Sequence, residues 1–300
     1  VNVDYLDGLS VSPFQAGKAY WFNSRNPVEL NLGPAIAPDY SATKPFTVSL
    51  KKGWNQIGNP FPFDLSWNEV LAANGSPQGV SNLQLFNPLT VSFEDADVLR
   101  KFSGGFVYLD ADYKFTFPVT LSRKGSRTQV TDNYQAEAGE WKLPITLQQG
   151  DAKSAQAGIG MHHLAQTGWD RLDRPSPPGL FPVAELVTHQ SGLDLNQSVV
   201  PLAAYYSWNY QVIADPSGMV NLTWSNKLVG QLKGQLTLYD TKRHLLVDMS
   251  RVDTYVSEPG TTLHFTYSEQ PLILTDMVQV GTAFPNPFAN HVSFSFLNNN

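Results

Sequence analysis

Short segments in which apolar and polar residues alternate recur along most of this chain, and they restrict its fold more than any other feature. Residues 46–50, 141–147 and 263–267 are examples. A period of two residues places alternate side chains on opposite faces of a β-strand. The 22 glycines and 21 prolines supply turns between such segments. Helical spacing is limited to residues 64–73, where Asp64 or Ser66 is the expected N-cap. The sequence therefore predicts an all-β fold.

Composition excludes several classes of function. Charged residues make up only 15% of the chain, the net charge is −6, and lysines and arginines do not cluster, so the electrostatic footprint of a nucleic-acid-binding protein is missing. No apolar run is long enough for a membrane-spanning helix. The chain has no cysteine, which rules out disulfides, thiolate nucleophiles and cysteine-ligated zinc. Hydrophobic residues at 42% are sufficient for packed cores.

Two β-rich blocks and a distinct C-terminal segment are expected. A polar stretch at residues 122–132 separates a domain at 1–125 from a β-sandwich at 126–275. Within the first block, residues 17–32 and 104–119 read as two copies of one β-hairpin unit, each with a glycine, an aromatic strand, a polar turn and a second strand. Trp54, Trp208 and Trp224 lie in alternating segments and are predicted to be core residues.

The C-terminal segment combines a rigid turn with an alternating strand. The turn consists of Phe284, Pro285, Asn286, Pro287 and Phe288. Val292, Phe294 and Phe296 then alternate with serines. This pattern resembles the start of the C-terminal sorting domain that the type IX secretion system of Bacteroidetes recognises. The resemblance implies that residues 276–300 begin such a domain, that the secretion machinery is a partner, and that the protein is secreted or attached to the cell surface.

Two further motifs resemble elements of Bacteroidetes surface proteins. Residues 53–62, GWNQIGNPFP, match a recurrent "GWN-x-IGNP-aromatic-P" element, and in such proteins a second "GWN" strand usually precedes the first hairpin. Its absence here leads us to expect an N-terminal truncation, just as the end at Asn300 leads us to expect a truncated sorting domain. Residues 141–145, 168–178, 220–224 and 236–240 follow the order found in a sandwich that directly precedes a type IX sorting domain.

One polar loop is the predicted ligand-binding region. Trp169 is the best candidate for an exposed aromatic ring that stacks on a sugar. Asp170 and Asp173 flank a turn before a proline-rich stretch, and with backbone carbonyls they could bind Ca²⁺, although six to eight oxygens are needed and Asx-turn capping is the ordinary role of such residues. The sequence therefore predicts no metal and no cofactor.

No catalytic constellation is recognisable. His162 and His163 are adjacent, and on a strand they would point to opposite faces. The acidic region at residues 94–97 and 110–112 is expected to be a solvated surface, with a paired-carboxylate glycosidase site as the alternative. There is no zinc-protease motif, nucleophile elbow or phosphate-binding loop.

Two functions fit these expectations. The first is a non-catalytic structural or adhesive protein of the bacterial exterior, whose partner is a second copy of itself in an oligomer or fibre. The second is an accessory carbohydrate-binding region of a larger secreted enzyme, whose partners are surface glycans and whose catalytic domain lies upstream.

Overall fold

The computed structural model describes residues 14–21, 26–27, 29, 39–41, 44–119, 138–179, 184–270, 279–280 and 296–297. The chain divides into two compact units. The first consists of residues 1–86 and 93–132, and the second consists of residues 87–92 and 133–300. Nearly all regular structure in the described residues is β, and the sandwich-type all-β class predicted from the sequence is confirmed.

The first unit is built from small sheets around one helix. Its elements are β1 (Phe46–Leu50), β2 (Gly53–Gly58), β3 (Leu65–Ser66), α1 (Trp67–Ala73), β4 (Leu83–Asn87), β5 (Ser92–Ala96), β6 (Val98–Leu99), β7 (Gly104–Leu109) and β8 (Tyr113–Phe117). One four-stranded sheet has the order β2-β7-β4-β5, while β1 pairs with β8 and β3 pairs with β6. Fourteen buried side chains, among them Ile57, Trp67 and Phe115, form its core.

The predicted helix is present and begins at Trp67, three residues later than the helical spacing suggested. Ser66 is its N-cap, and the Ser66 hydroxyl accepts a hydrogen bond from the Glu69 N–H at 3.4 Å. Asp64 does not cap α1, because its Oδ1 accepts from the Lys101 N–H at 2.8 Å. Val70 and Leu71 are buried, as an amphipathic helix requires.

The expected repeat of a hairpin unit is wrong for its second copy. β7 and β8 are consecutive strands, but β7 pairs with β2 and β4 whereas β8 pairs with β1. The polar residues between them thus connect two sheets rather than closing a hairpin. In the first copy, the described residues Tyr20 and Trp21 lie outside the strands, and Lys18 forms only an isolated bridge with Ile57.

The predicted core tryptophans have two different environments. Trp208 and Trp224 are 2% and 7% exposed, which confirms that they are core residues. Trp54 is only half-buried. It lies on the face of β2 opposite Ile57 and contacts Phe106 and Tyr108 edge-on.

The second unit is a sandwich made from one continuous sheet. Its elements are β9 (Trp141–Gln149), β10 (Ala152–Met161), β11 (Arg174–Pro175), β12 (Glu185–Gln190), β13 (Leu193–Val200), β14 (Tyr205–Ile213), β15 (Val220–Thr223), α2 (Asn226–Val229), β16 (Gln235–Asp240), β17 (Leu245–Asp248), β18 (Thr254–Ser257), β19 (Thr262–Ser268), β20 (Gln279–Val280) and β21 (Phe296–Leu297). The strand order is β18-β15-β9-β10-β13-β12-β14-β19-β16-β17-β20-β21, and β11 pairs with β13.

Strand β12 belongs to both layers of the sandwich. Residues 188–190 pair with β13, and residues 185–187 pair with β14. The alternating side chains of both layers point inward and form one core, in which Ile145, Ile159, Tyr210 and Phe265 are almost completely buried. The loop between β10 and β11 packs over the other face of β10 and β13, which is polar: Gln156 and Gln197 are both buried there.

The C-terminal segment extends this sheet at its edge. β20 pairs in parallel with β17 through Leu246 and Gln279, and β21 pairs antiparallel with β20. The sequence predicts that the segment from residue 276 lies outside both sandwich cores and needs a partner: the rest of its own domain, a groove on the second sandwich or the sheet edge of a neighbouring molecule. The described part of it pairs with the edge strand of the second unit.

Candidate functional site

The loop of residues 162–173 contains all three predicted ligand residues and both adjacent histidines. It begins directly after β10 and ends at β11. The His162 N–H donates to the Val200 carbonyl at 3.0 Å, which fixes the start of the loop on β13. At the other end, the Gln197 amide donates to the Leu172 carbonyl at 2.7 Å. The loop is therefore held against the sheet at both ends.

Asp170 organises the turn in which it lies. Its Oδ1 accepts from the Leu172 N–H, and its Oδ2 accepts from the Gln166 N–H, both at 2.7 Å. The bond between Oδ1 and the N–H of Leu172, two positions further on, is the geometry of the Asx-turn considered for Asp170 in the sequence analysis. Both carboxylate oxygens thus have backbone donors.

Asp173 joins the loop to the sheet. Its side chain is almost completely buried, Oδ1 accepts from the Val199 N–H at 2.7 Å, and Oδ2 accepts from the Asp170 N–H at 3.0 Å. Burial raises the pKa of this carboxyl to about 7, although the two N–H bonds favour the charged form and oppose that shift. All four carboxylate oxygens of Asp170 and Asp173 already accept backbone N–H bonds, so the geometry favours a structural role for the two residues.

Trp169 is half-buried rather than exposed. All seven tryptophans lie within the described ranges, and each is either half-buried or buried. A site that binds a sugar by stacking needs an aromatic ring whose face is accessible to the ligand. The exposed ring expected at Trp169 is therefore not seen. Tyr205 is 60% exposed and is the most exposed aromatic residue of β14.

A cluster of three ionisable side chains was missed by the sequence reasoning. His162 and His163 do not point to opposite faces, because β10 ends at Met161 and both residues lie beyond the strand. Their rings stack with centroids 4.8 Å apart and an interplanar angle of 17°. Both face Glu140, whose Oε1 lies 3.6 Å from His162 Nε2 and in direct contact with His163 Nδ1. We call these three residues the Glu-His-His cluster.

The register of β9 and β10 builds this cluster. Trp141 is the Cα partner of Met161, so the residue before Trp141 and the residue after Met161 face each other across the hairpin. Glu140 and His162 occupy those two positions. The sequence could reveal this contact only if the hairpin and its register were already known. The signal would then be a glutamate just before the first strand and a histidine just after the second.

The densest acidic regions of the chain are solvated. Glu94, Asp95 and Asp97 are exposed, and so are Asp110 and Asp112. Asp112 Oδ2 accepts a bond from Lys51 Nζ at 2.7 Å, and this bond lowers the pKa of the Asp112 carboxyl. The structure favours the solvated surface over the glycosidase alternative.

The five turn residues of the expected sorting signal, Phe284 to Phe288, lie outside the described residues, and nothing in the geometry bears on them. Neither described helix is long and apolar enough to cross a lipid bilayer.

The fold and the loop define an all-β protein of the sandwich type with a Glu-His-His cluster at one end of a β-hairpin. Comparison with known proteins adds no closer assignment, since no family model, curated protein or solved structure matches the chain.

Proposed function

We propose that this chain is a non-catalytic structural or adhesive protein of the bacterial exterior that assembles with copies of itself through its C-terminal segment. The observation that carries this proposal is the pairing of β20 and β21 with the edge of the second unit. β17 pairs with β16 on its other side, so the segment covers the edge that β17 would otherwise leave open. An open sheet edge is the usual template for adding a strand from another chain.

The contact made by this segment is small enough to be exchanged. β20 and β21 each contain only two residues, and a single Cα pair, Leu246 with Gln279, links β20 to β17. The same backbone groups of a second copy would make the same bonds in trans. Exchange of an identical element between copies is a low-cost route from monomer to oligomer or fibre.

The export address rests on the sequence pattern of the same segment. Its turn and alternating strand support a location outside the cell and the type IX secretion machinery as a partner. The carbohydrate-binding alternative has weaker support, because every tryptophan is at least half-covered.

Engineered disulfides test self-assembly with little background, because the natural chain contains no cysteine. Two single variants, Leu246→Cys and Gln279→Cys, are purified separately, mixed and oxidised. Strand exchange predicts a disulfide-linked dimer in the mixture, because the two positions are Cα partners in neighbouring strands. The matched control mixes Thr237→Cys with Asp248→Cys, which are Cα partners in β16 and β17 within the body of the unit and should stay unlinked between copies.

Equal cross-linking in both mixtures, or none in either, would contradict assembly by this segment. The proposed export signal is tested separately, in a host that has a type IX secretion system. Deletion of residues 276–300 should retain the protein inside the cell. The far-UV circular dichroism of the deletion variant should stay that of a folded β protein. Normal export of the deletion variant would refute the address and leave the assembly result standing.

A further inference from the structure

We propose that Glu140, His162 and His163 form a binding site for a divalent transition-metal ion, with Zn²⁺ as the best-fitting one. Two imidazoles and a carboxylate are a common zinc ligand set. One potential ligand atom from each residue lies within 4.8 Å of the other two. Zn–N and Zn–O bonds of about 2.0–2.2 Å place two ligands of a tetrahedral ion about 3.4 Å apart. The 3.6 Å between His162 Nε2 and Glu140 Oε1 is close to that separation.

The charge of Glu140 gives a reason for a cation at this position. Its side chain is only 3% exposed, whereas those of His162 and His163 are 16% and 31% exposed. A carboxylate removed from water is costly unless a positive charge compensates it. The His163 N–H donates to Glu140 Oε1 at 3.2 Å, and a divalent ion at this position would add a positive charge beside the buried carboxylate.

The nitrogens nearest Glu140 are His162 Nε2 and His163 Nδ1, one from each ring. The two rings are nearly parallel, so a shared ion requires a rotation of the His163 side chain that opens its direct contact with Glu140 and turns Nδ1 toward the ion. The exposed edge of His163 leaves room for a water molecule as the fourth ligand. Three protein ligands and an open position are the pattern of zinc sites that exchange their fourth ligand.

Metal binding also changes a hydrogen bond of His162, and that change supplies a signature. His162 Nδ1 accepts a hydrogen bond from the Leu164 N–H at 3.0 Å, so the proton of the neutral ring lies on Nε2. Coordination through Nε2 moves this proton to Nδ1 and breaks the bond to Leu164. The loss is that of a single backbone-to-side-chain hydrogen bond.

The test is a titration of the chelator-treated full chain with Zn²⁺ by isothermal calorimetry, and with Co²⁺ by absorption spectroscopy. We expect one ion per chain, a d–d absorption band typical of tetrahedral Co²⁺, and a shift of the Leu164 amide resonance on addition of Zn²⁺. Glu140→Gln and His163→Ala should each weaken binding by at least about tenfold, because each removes one ligand from a small set.

His189→Ala is the matched control. His189 Nδ1 forms a pair with Asp194 Oδ1 at 2.9 Å, but neither residue belongs to the Glu-His-His cluster, so this variant should bind Zn²⁺ like the natural chain. Circular dichroism of each variant shows that it is folded. An absence of binding by the natural chain would overturn the proposal, and so would binding that Glu140→Gln and His163→Ala leave unchanged or that His189→Ala weakens equally.

Discussion

At the scale of single residues, the buried carboxyl of Asp173 couples the stability of the second unit to pH. The pKa of the Asp173 carboxyl is about 7 in the folded chain, whereas the ordinary value for this group, which applies to the unfolded chain, is 3.8. Below pH 3.8 the group is protonated in both states. As pH rises towards 7, the unfolded state loses this proton first, so the folded state is progressively destabilised. One pKa unit corresponds to about 1.4 kcal/mol, and the full effect is therefore about 4 kcal/mol.

Asp173→Asn should remove this dependence on pH. The amide keeps an oxygen for the Val199 N–H but cannot ionise, and it loses the acceptor for the Asp170 N–H. We expect the variant to be less stable than the natural chain at pH 4.5 and to approach or exceed it at pH 8. Urea unfolding followed by tryptophan fluorescence at both pH values measures the difference.

Subtraction of the variant's free energy of unfolding from that of the natural chain removes the contribution of every other ionisable group. Parallel stability curves for the two proteins between pH 4.5 and 8 would show that Asp173 does not titrate there.

At the scale of elements, β10 is a central strand that leaves little space between itself and its neighbour β9. It pairs with β9 on one side and with β13 on the other. A Cβ at Gly160 would lie 2.6 Å from the Trp141 carbonyl and 3.2 Å from the Lys142 Cα. Both obstacles are backbone atoms, which cannot rotate away.

Gly160→Ala should therefore destabilise the chain by about 1–3 kcal/mol, the usual range for overpacking. Gly168→Ala is the control, since its nearest obstacle is the Ser191 hydroxyl at 3.7 Å, an ordinary contact distance. Chemical denaturation compares the two variants. If Gly168→Ala lowered the free energy of unfolding as much as Gly160→Ala does, the close approach of β9 and β10 would not be what restricts the side chain at position 160.

The strands that could be predicted from sequence are those with one apolar and one polar face. β1, β9, β14 and β19 alternate visibly and were expected near their observed places. β10 and β13 could not be found in this way, because the loop covers their outer face and buries polar side chains such as Gln156 and Gln197 there. Alternation disappears when both faces of a strand are covered.

The same limit applies to the site. Spacing along the chain placed Trp169, Asp170 and Asp173 in one loop, and they do lie in one loop. It could not place Glu140 beside His162 and His163, because that contact is set by the register of β9 and β10 rather than by any interval in the sequence. The hairpin repeat failed for a related reason, since the partner of a strand is chosen by the whole fold.

At the scale of the whole molecule, each unit has its own hydrophobic core. The core of the first unit comprises residues from Leu50 to Phe117. That of the second unit comprises residues from Leu143 to Tyr267. Among the described residues, neither core contains a side chain from the other unit. A domain that buries its own core can fold alone.

A fragment of residues 133–300 should therefore fold without the rest of the chain. It lacks residues 87–92, which group with this unit but contribute nothing to its core. We expect a dispersed amide spectrum that overlays on that of the full chain, and a cooperative unfolding transition. A fragment with native far-UV but no near-UV circular dichroism would show that its packing requires the first unit.

The sharing of β12 between both layers has a consequence for the rate and order of folding. The turn between β12 and β13 consists of Ser191 and Gly192, both with positive φ, which is the compact arrangement that favours a two-residue hairpin. Such a hairpin closes in about 1–10 μs, and once closed it presents pairing edges to strands of both layers. We therefore expect this hairpin to be formed in the transition state, so that Leu195→Ala slows refolding. Leu222→Ala, in β15 next to the edge, should mainly accelerate unfolding. Stopped-flow chevrons that show the reverse assignment would place the nucleus elsewhere.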